Sequence, residues 1–280
     1  MNEREERGRV YRLPGLSLRA AEIVMGLMES CFPGWADTGG RPYVFSLVEA
    51  VRMTLMRLRR NVTFGELAED FGISVSTAWE HFQRIRDALA QVLAVDPEVL
   101  AASLKGKICL VDGTLVTVFN WRHRSDLYSG KHRRHGMNVQ VVTDVHGRVL
   151  WVSPGHPGSW HDKRCFDATW LSELATLAGS AVADSGYQGS NMITPNKRQP
   201  GQERSESDVA HNTALAVIRA AVEWANAHLK NWRILATRYR DDLVRFDRTL
   251  TAVAGLQMLN EEYAPRQLKL SRLNKLMVSE

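Results

Sequence analysis

Between Tyr43 and Leu93 the apolar positions recur at steps of three and four. Val44, Leu47, Val48, Val51, Leu55 and Leu58 form one stripe, which predicts an amphipathic helix. Thr63, followed three residues later by Glu66, is a capping box and opens a short second helix through Phe71. Gly72 interrupts that helix and Ser74 can cap the next, whose buried face is Ala78, Phe82, Ile85 and Leu89. Ahead of this trio, residues 1–40 read as a polar, basic arm with one short apolar helix from Ala20 to Met28.

Past Lys105 the period becomes extended. Short apolar runs at 108–111, 139–143 and 149–152 predict strands, and Gly147 can take the positive φ of the connection at 144–148. Residues 162–178 read as helix, 181–183 as a buried strand, 196–208 as a polar surface loop and 212–230 as a long helix. A last amphipathic helix carries Leu243, Phe246, Leu250, Val253, Leu256 and Leu259, before a basic tail with Arg266, Lys269, Arg272 and Lys275. The expected organisation is therefore an arm and short helix at 1–40, a helical domain at 41–98, an α/β domain at 105–240, and a C-terminal helix and tail at 241–280.

Composition narrows the class. A hydrophobic content of 44% in 280 residues supports a core and excludes a wholly disordered chain. No apolar run reaches the roughly 18–20 residues of a bilayer helix, so no membrane partner is expected. The N-terminus carries charges of both signs and no apolar signal core. The three cysteines, Cys31, Cys109 and Cys165, are far apart, against a disulfide framework or a cysteine zinc site and for a reducing, cytoplasmic setting.

The net charge of +5 is too small to argue from until it is located. Residues 122–135 hold Arg122, Arg124, Lys131, Arg133 and Arg134 against Asp126 alone, with Tyr128 and the adjoining Trp121 as aromatic faces. That mixture suits phosphate contact and base stacking, as well as plain solvation. In the helical domain, Ala68, Gly72 and Ala78 fall at helix-turn-helix spacing. The third helix would then present Ser76, Thr77, Glu80 and Arg84 to DNA. An ordinary three-helix bundle with solvated polar residues fits the same pattern.

Asp112 closes the run Cys109-Leu110-Val111, and Asp184 closes Ala181-Val182-Ala183. Both are read as carboxylates at the carboxyl ends of buried strands, a common site position in α/β sheets. Glu223 borders the stripe Leu215, Ile218, Val222 and Leu229, with Arg219 one turn before it. Phosphodiester chemistry has a use for three such acids, since they can hold two Mg²⁺ ions about 3.5–4 Å apart with oxygen ligands only. Spacing alone does not single out these three from 31 acids.

Five motifs occur in order: Val111-Asp112-Gly113-Thr114; the segment 128–136; Gly158-Ser159-Trp160-His161-Asp162; Ala183-Asp184-Ser185-Gly186-Tyr187-Gln188-Gly189; and Arg219-Ala220-Ala221-Val222-Glu223. Together they resemble the DDE superfamily endonucleases, insertion-sequence transposases of the Harbinger-like branch with a helix-turn-helix before the nuclease domain. The resemblance implies an α/β (α+β) fold, a ribonuclease-H-like mixed sheet flanked by helices and preceded by an all-α helix-turn-helix domain. It implies Asp112, Asp184 and Glu223 as catalytic and metal-holding residues for two Mg²⁺, with Mn²⁺ as a substitute. His161, Asp162 and Arg219 would support the site, with the His161-Asp162 pair capping the helix that begins there. The partner implied is double-stranded DNA, both transposon ends and target, in the cytoplasm with the nucleoid, with a homodimer or higher assembly on DNA.

Two other functions stay open on the same residues: a transposase-derived DNA-binding protein that no longer cuts, and a nuclease for RNA or non-specific DNA. His161-Asp162 also suggests the His-Asp metal phosphohydrolases, but no further helical set of His ligands accompanies it.

Overall fold

The structure is a computed structural model that describes residues 12–35, 45–119, 121, 123–170, 172, 181–198, 200, 201 and 203–263. Val44, Arg122, the far end of the 162–178 segment and the basic tail lie outside these residues.

Four helices come first: α1 (Leu18–Cys31), α2 (Leu47–Arg60), α3 (Phe64–Phe71) and α4 (Val75–Val92). Each begins where a hydroxyl can satisfy the open backbone N–H groups. Ser46 with Glu49 and Thr63 with Glu66 are complete capping boxes, and Ser74 accepts from Thr77 N. Gly72 closes α3 in the left-handed region, with φ at 65°. Ala78, Phe82, Ile85 and Leu89 are all fully buried, as their spacing requires.

After α5 (Pro97–Leu104) comes a six-stranded mixed sheet: β1 (Cys109–Thr117), β2 (Tyr128–Ser129), β3 (Arg134–Asp144), β4 (Val149–Val152), β5 (His156–Pro157) and β6 (Ala181–Val182). β3 is antiparallel to β1 along its length and carries β2, β4 and β5 on its other side, while β6 lies parallel on the outer edge of β1. Helices α6 (Asp162–Asp167), α7 (Glu206–Leu229), α8 (Arg233–Ala236) and α9 (Phe246–Glu262) complete the chain. The fold is thus the expected mixed α/β sheet flanked by helices and preceded by a helical region.

Pairing alters several expected boundaries. β1 runs on to Thr117 because β3 pairs with it as far as Gly136, so Asp112 is its fourth residue and does not end the strand. Residues 122–135 are not a bare loop, since β2 forms within them and Arg134 and His135 already belong to β3. α6 ends at Asp167, with Ala168 as its cap, instead of continuing to 178. α7 begins at Glu206, capped by Ser205, six residues before the expected start.

The two faces of the sheet are covered differently. Cys109, Val111 and Val142 pack with Phe166, Tyr187 and Trp151, whereas Leu110 and Val182 pack with Leu215, Ala221 and Val222 of α7. A third cluster joins α1–α4 to α8 and α9. There Gly255 lets α9 approach so closely that a Cβ would lie 2.4 Å from Leu93 Cβ. The buried Arg57 of α2 is paired with Asp241 at 3.0 Å.

Candidate active site

Leu110 pairs with Val182, and Asp112 and Asp184 each follow two residues later. Two parallel strands thus deliver two carboxylates to one end of their ladder. Asp184 caps the short 3-10 turn Ser185–Tyr187, its Oδ1 accepting from Gly186 N at 2.7 Å. Asp112 faces α7, where Asn226 Nδ2 donates to its Oδ2 at 2.9 Å and the Arg219 guanidinium stands 3.9 Å from its Oδ1. Glu223 lies between Arg219 and Asn226 on the same stripe of α7, three and four residues from them. Its side chain is exposed. Among the described residues, no three His, Cys, Asp or Glu side chains already form a group able to hold an ion.

Burial pushes the Asp112 carboxyl up to about 6. Arg219 opposes that shift, and the negative charges of Asp184 and Asp162 add to it. A cation would relieve this crowding, and the donors are the carboxylate oxygens that Mg²⁺ prefers. The donor chemistry of Asp112 and Asp184, brought to one end of the same ladder, is of the kind a divalent metal takes.

Asp162, expected to support the site, lies against the strand that bears Asp112. Its Oδ1 presses on the backbone next to Asp112, and a Cβ on Gly113 would sit only 2.2 Å from that atom. Asn138 Nδ2 donates to the same oxygen at 2.8 Å, and Gln140 Nε2 donates to Asn138 Oδ1 at 3.1 Å. Tyr187 Oη donates to Gln140 Oε1 at 2.5 Å. One buried chain of hydrogen bonds therefore links Asp162, β3 and the turn capped by Asp184. Burial, with Asp162, Asp112 and Asp184 nearby, holds the Tyr187 phenol protonated well above its ordinary range. Asn138, Gln140, Tyr187 and Asn226 were missed because nothing local in the sequence marks a contact made across a sheet. His161 stands at the cap position of α6, but its ring makes no capping hydrogen bond, which corrects that expectation.

The expected DNA-binding residues are scattered over several elements. Lys131 is 3.4 Å from Asp162 Oδ2, so the basic segment borders the acids. Arg124 grips Asp126 through two hydrogen bonds, and Arg133 is exposed with φ at 52°. Arg134 is exposed at the start of β3. On α4, Ser76 and Glu80 are exposed, while the Thr77 hydroxyl lies 2.8 Å from that of Ser74. Arg84 lies over Trp35, 4.8 Å from its ring centre. Trp79, which sequence reasoning passed over, is exposed on the same helix. Trp232 is fully buried, whereas Trp224 on α7 is half exposed.

Residues 111–257 match the DDE superfamily endonuclease model, a span that begins one residue before Asp112 and includes Asp184 and Glu223. The chain belongs to this family. Residues 45–94 match the helix-turn-helix of DDE superfamily endonucleases, which is the α2–α4 unit with its Gly72 turn. A protein of Streptomyces albus G designated a transposase for insertion sequence element IS112 is 31% identical over 224 residues, 79% of this chain and 82% of that one. Among the described residues of this DDE endonuclease relative, no helix is long and apolar enough to cross a membrane.

Proposed function

We propose that the chain is an insertion-sequence transposase that cuts DNA at terminal inverted repeats and joins the freed ends to target DNA. The observation that carries this reading is the meeting of Asp112 and Asp184 at the end of the β1–β6 ladder, with Glu223 on the helix that covers Asp112. Similarity to the IS112 protein and the helix-turn-helix of α2–α4 support it.

Asp112, Asp184 and Glu223 are the residues we assign to hold two Mg²⁺ ions, or Mn²⁺ in their place. Bound there, the metal would supply Lewis-acid activation and charge neutralisation at the scissile phosphate. Asn226 fixes one oxygen of Asp112 and leaves the other turned toward Arg219. Asp162, anchored by Asn138, keeps the backbone at Gly113 in place and borders the site through Lys131. The basic segment around Lys131, Arg133 and Arg134 would hold DNA phosphates beside the acids, and Ser76, Thr77, Glu80 and Arg84 on α4 would read the repeat. A water and then a DNA 3′-hydroxyl are the successive attacking groups, with no covalent protein intermediate. A homodimer or larger assembly on DNA would hold two ends together for this reaction.

A binding assay followed by a cleavage assay tests this reading. Repeat-end duplex should outcompete random duplex and RNA of equal length, and should be nicked in Mg²⁺. Equal competition by RNA or random DNA would favour a non-specific nuclease. Tight repeat binding without nicking in Mg²⁺ or Mn²⁺ would favour a DNA-binding protein that has lost the reaction.

A further inference from the structure

Pro195 and Asn196, at the start of the polar segment before α7, are held by several side-chain hydrogen bonds. Asn212 Oδ1 accepts from Asn196 N at 2.8 Å and its Nδ2 donates to Asn196 O at 3.1 Å, while Asp208 accepts from the Asn196 amide at 2.7 Å. From the other side, Gln188 Nε2 donates to Pro195 O at 2.7 Å. These bonds strap Pro195 and Asn196 to the first turns of α7 and to the turn that follows Asp184.

Beside Asn196 lies a cleft of about 390 Å³ whose lining includes Asp184, Lys197, Arg198, Arg204 and Arg219. The lining thus includes four cationic residues and one carboxylate. An adjoining cavity of about 460 Å³ shares the three wall cations and adds Glu203 and Asp208, of which Asp208 is already committed to Asn196. Arg219 Nε is buried with no hydrogen-bond acceptor among the described residues, and the Arg219–Asp112 separation of 3.9 Å is long for an ion pair. A half-buried guanidinium with an unused donor, in the lining of a cation-rich cleft, suits the oxygens of a phosphodiester.

We propose that this cleft seats the backbone phosphates of the DNA strand running from the Asp112–Asp184 site along α7. It is a second track, separate from the basic segment around Lys131. The inference rests on the DNA-cleaving reading above and adds where the strand leaves the site. Its contacts are with phosphates, so it contributes affinity without base preference.

The test is salt-dependent binding of the full-length chain to a random-sequence duplex, measured by fluorescence anisotropy without divalent metal. Lys197→Gln and Arg204→Gln should each weaken binding and reduce the slope of log K against log salt by about 1, and the double variant by about 2. The loss should be equal for repeat-end DNA. Lys197→Arg should keep the wild-type slope, as should Lys105→Gln, a change at an exposed lysine beyond the cleft. A double variant with the wild-type slope, while wild type binds DNA, would overturn the cleft and leave the functional reading standing. Absence of salt-dependent DNA binding by wild type would overturn both.

Discussion

Asp112 and Asp184 each follow a short apolar run, but it was the five ordered motifs around them, and not that position, that marked them out from the other acids. Their partners were not legible, since Asn226 reaches Asp112 from 114 residues away and Asn138 meets Asp162 across the sheet. Gly113 shows how tightly this arrangement is built. Gly113→Ala forces its methyl into Asp162 and should cost about 1–3 kcal/mol in chemical denaturation, as overpacking does. A neutral result would mean that Asp162 can move away freely. His81 offers a separate check, because burial, aided by the Arg84 charge, holds its pKa below the ordinary 6.5. The unfolded chain then takes up the proton more readily, so stability is full above that value and is lost as pH falls toward the folded one. His81→Phe should narrow the fall in Tm between about pH 7 and about pH 5. An unchanged fall would show that His81 does not contribute.

Helix starts were readable from local chemistry, because a hydroxyl and a glutamate three residues apart satisfy each other's backbone neighbours wherever the chain is placed. Thr63→Ala should therefore cost about 1 kcal/mol, by loss of the cap on α3. Thermal melts of the full chain check this, and a loss near zero would mean that packing alone sets the start of α3. Strand ends were less readable. β1 outlasts its apolar run because β3 supplies partners as far as Gly136, and α6 stops early although the sequence after it stays compatible with helix. The length of such a strand is decided by what lies alongside, which a single sequence does not display. The ties at Pro195 and Asn196 were missed for the same reason, since they come from Gln188 and Asn212.

Across the whole molecule, charge and packing divide the work. The helical region does not stand apart from the rest, because α4 and α9 share a hydrophobic cluster and Arg57 reaches Asp241. Asp241→Ala strands a buried guanidinium and should cost about 3–5 kcal/mol in a single cooperative transition. Separate melting of two units, with the loss confined to one, would show that the pair does not couple them. The modest surplus of five positive charges acquires meaning by position, as cations flank the acids both at Lys131 and along the 197–204 cleft. The family was legible in five ordered motifs, whereas the second cationic track needed the fold. The central claim is that Asp112, Asp184 and Glu223 act together on DNA. Nicking of a repeat-end duplex in Mg²⁺ by Asp112→Asn, Asp184→Asn and Glu223→Gln tests it most directly. Since outer partners of a metal ligand already cost about 10–100-fold, each ligand variant should lose more than about 100-fold with its fold intact. Nicking at the wild-type rate by any one of the three would remove that residue from the site.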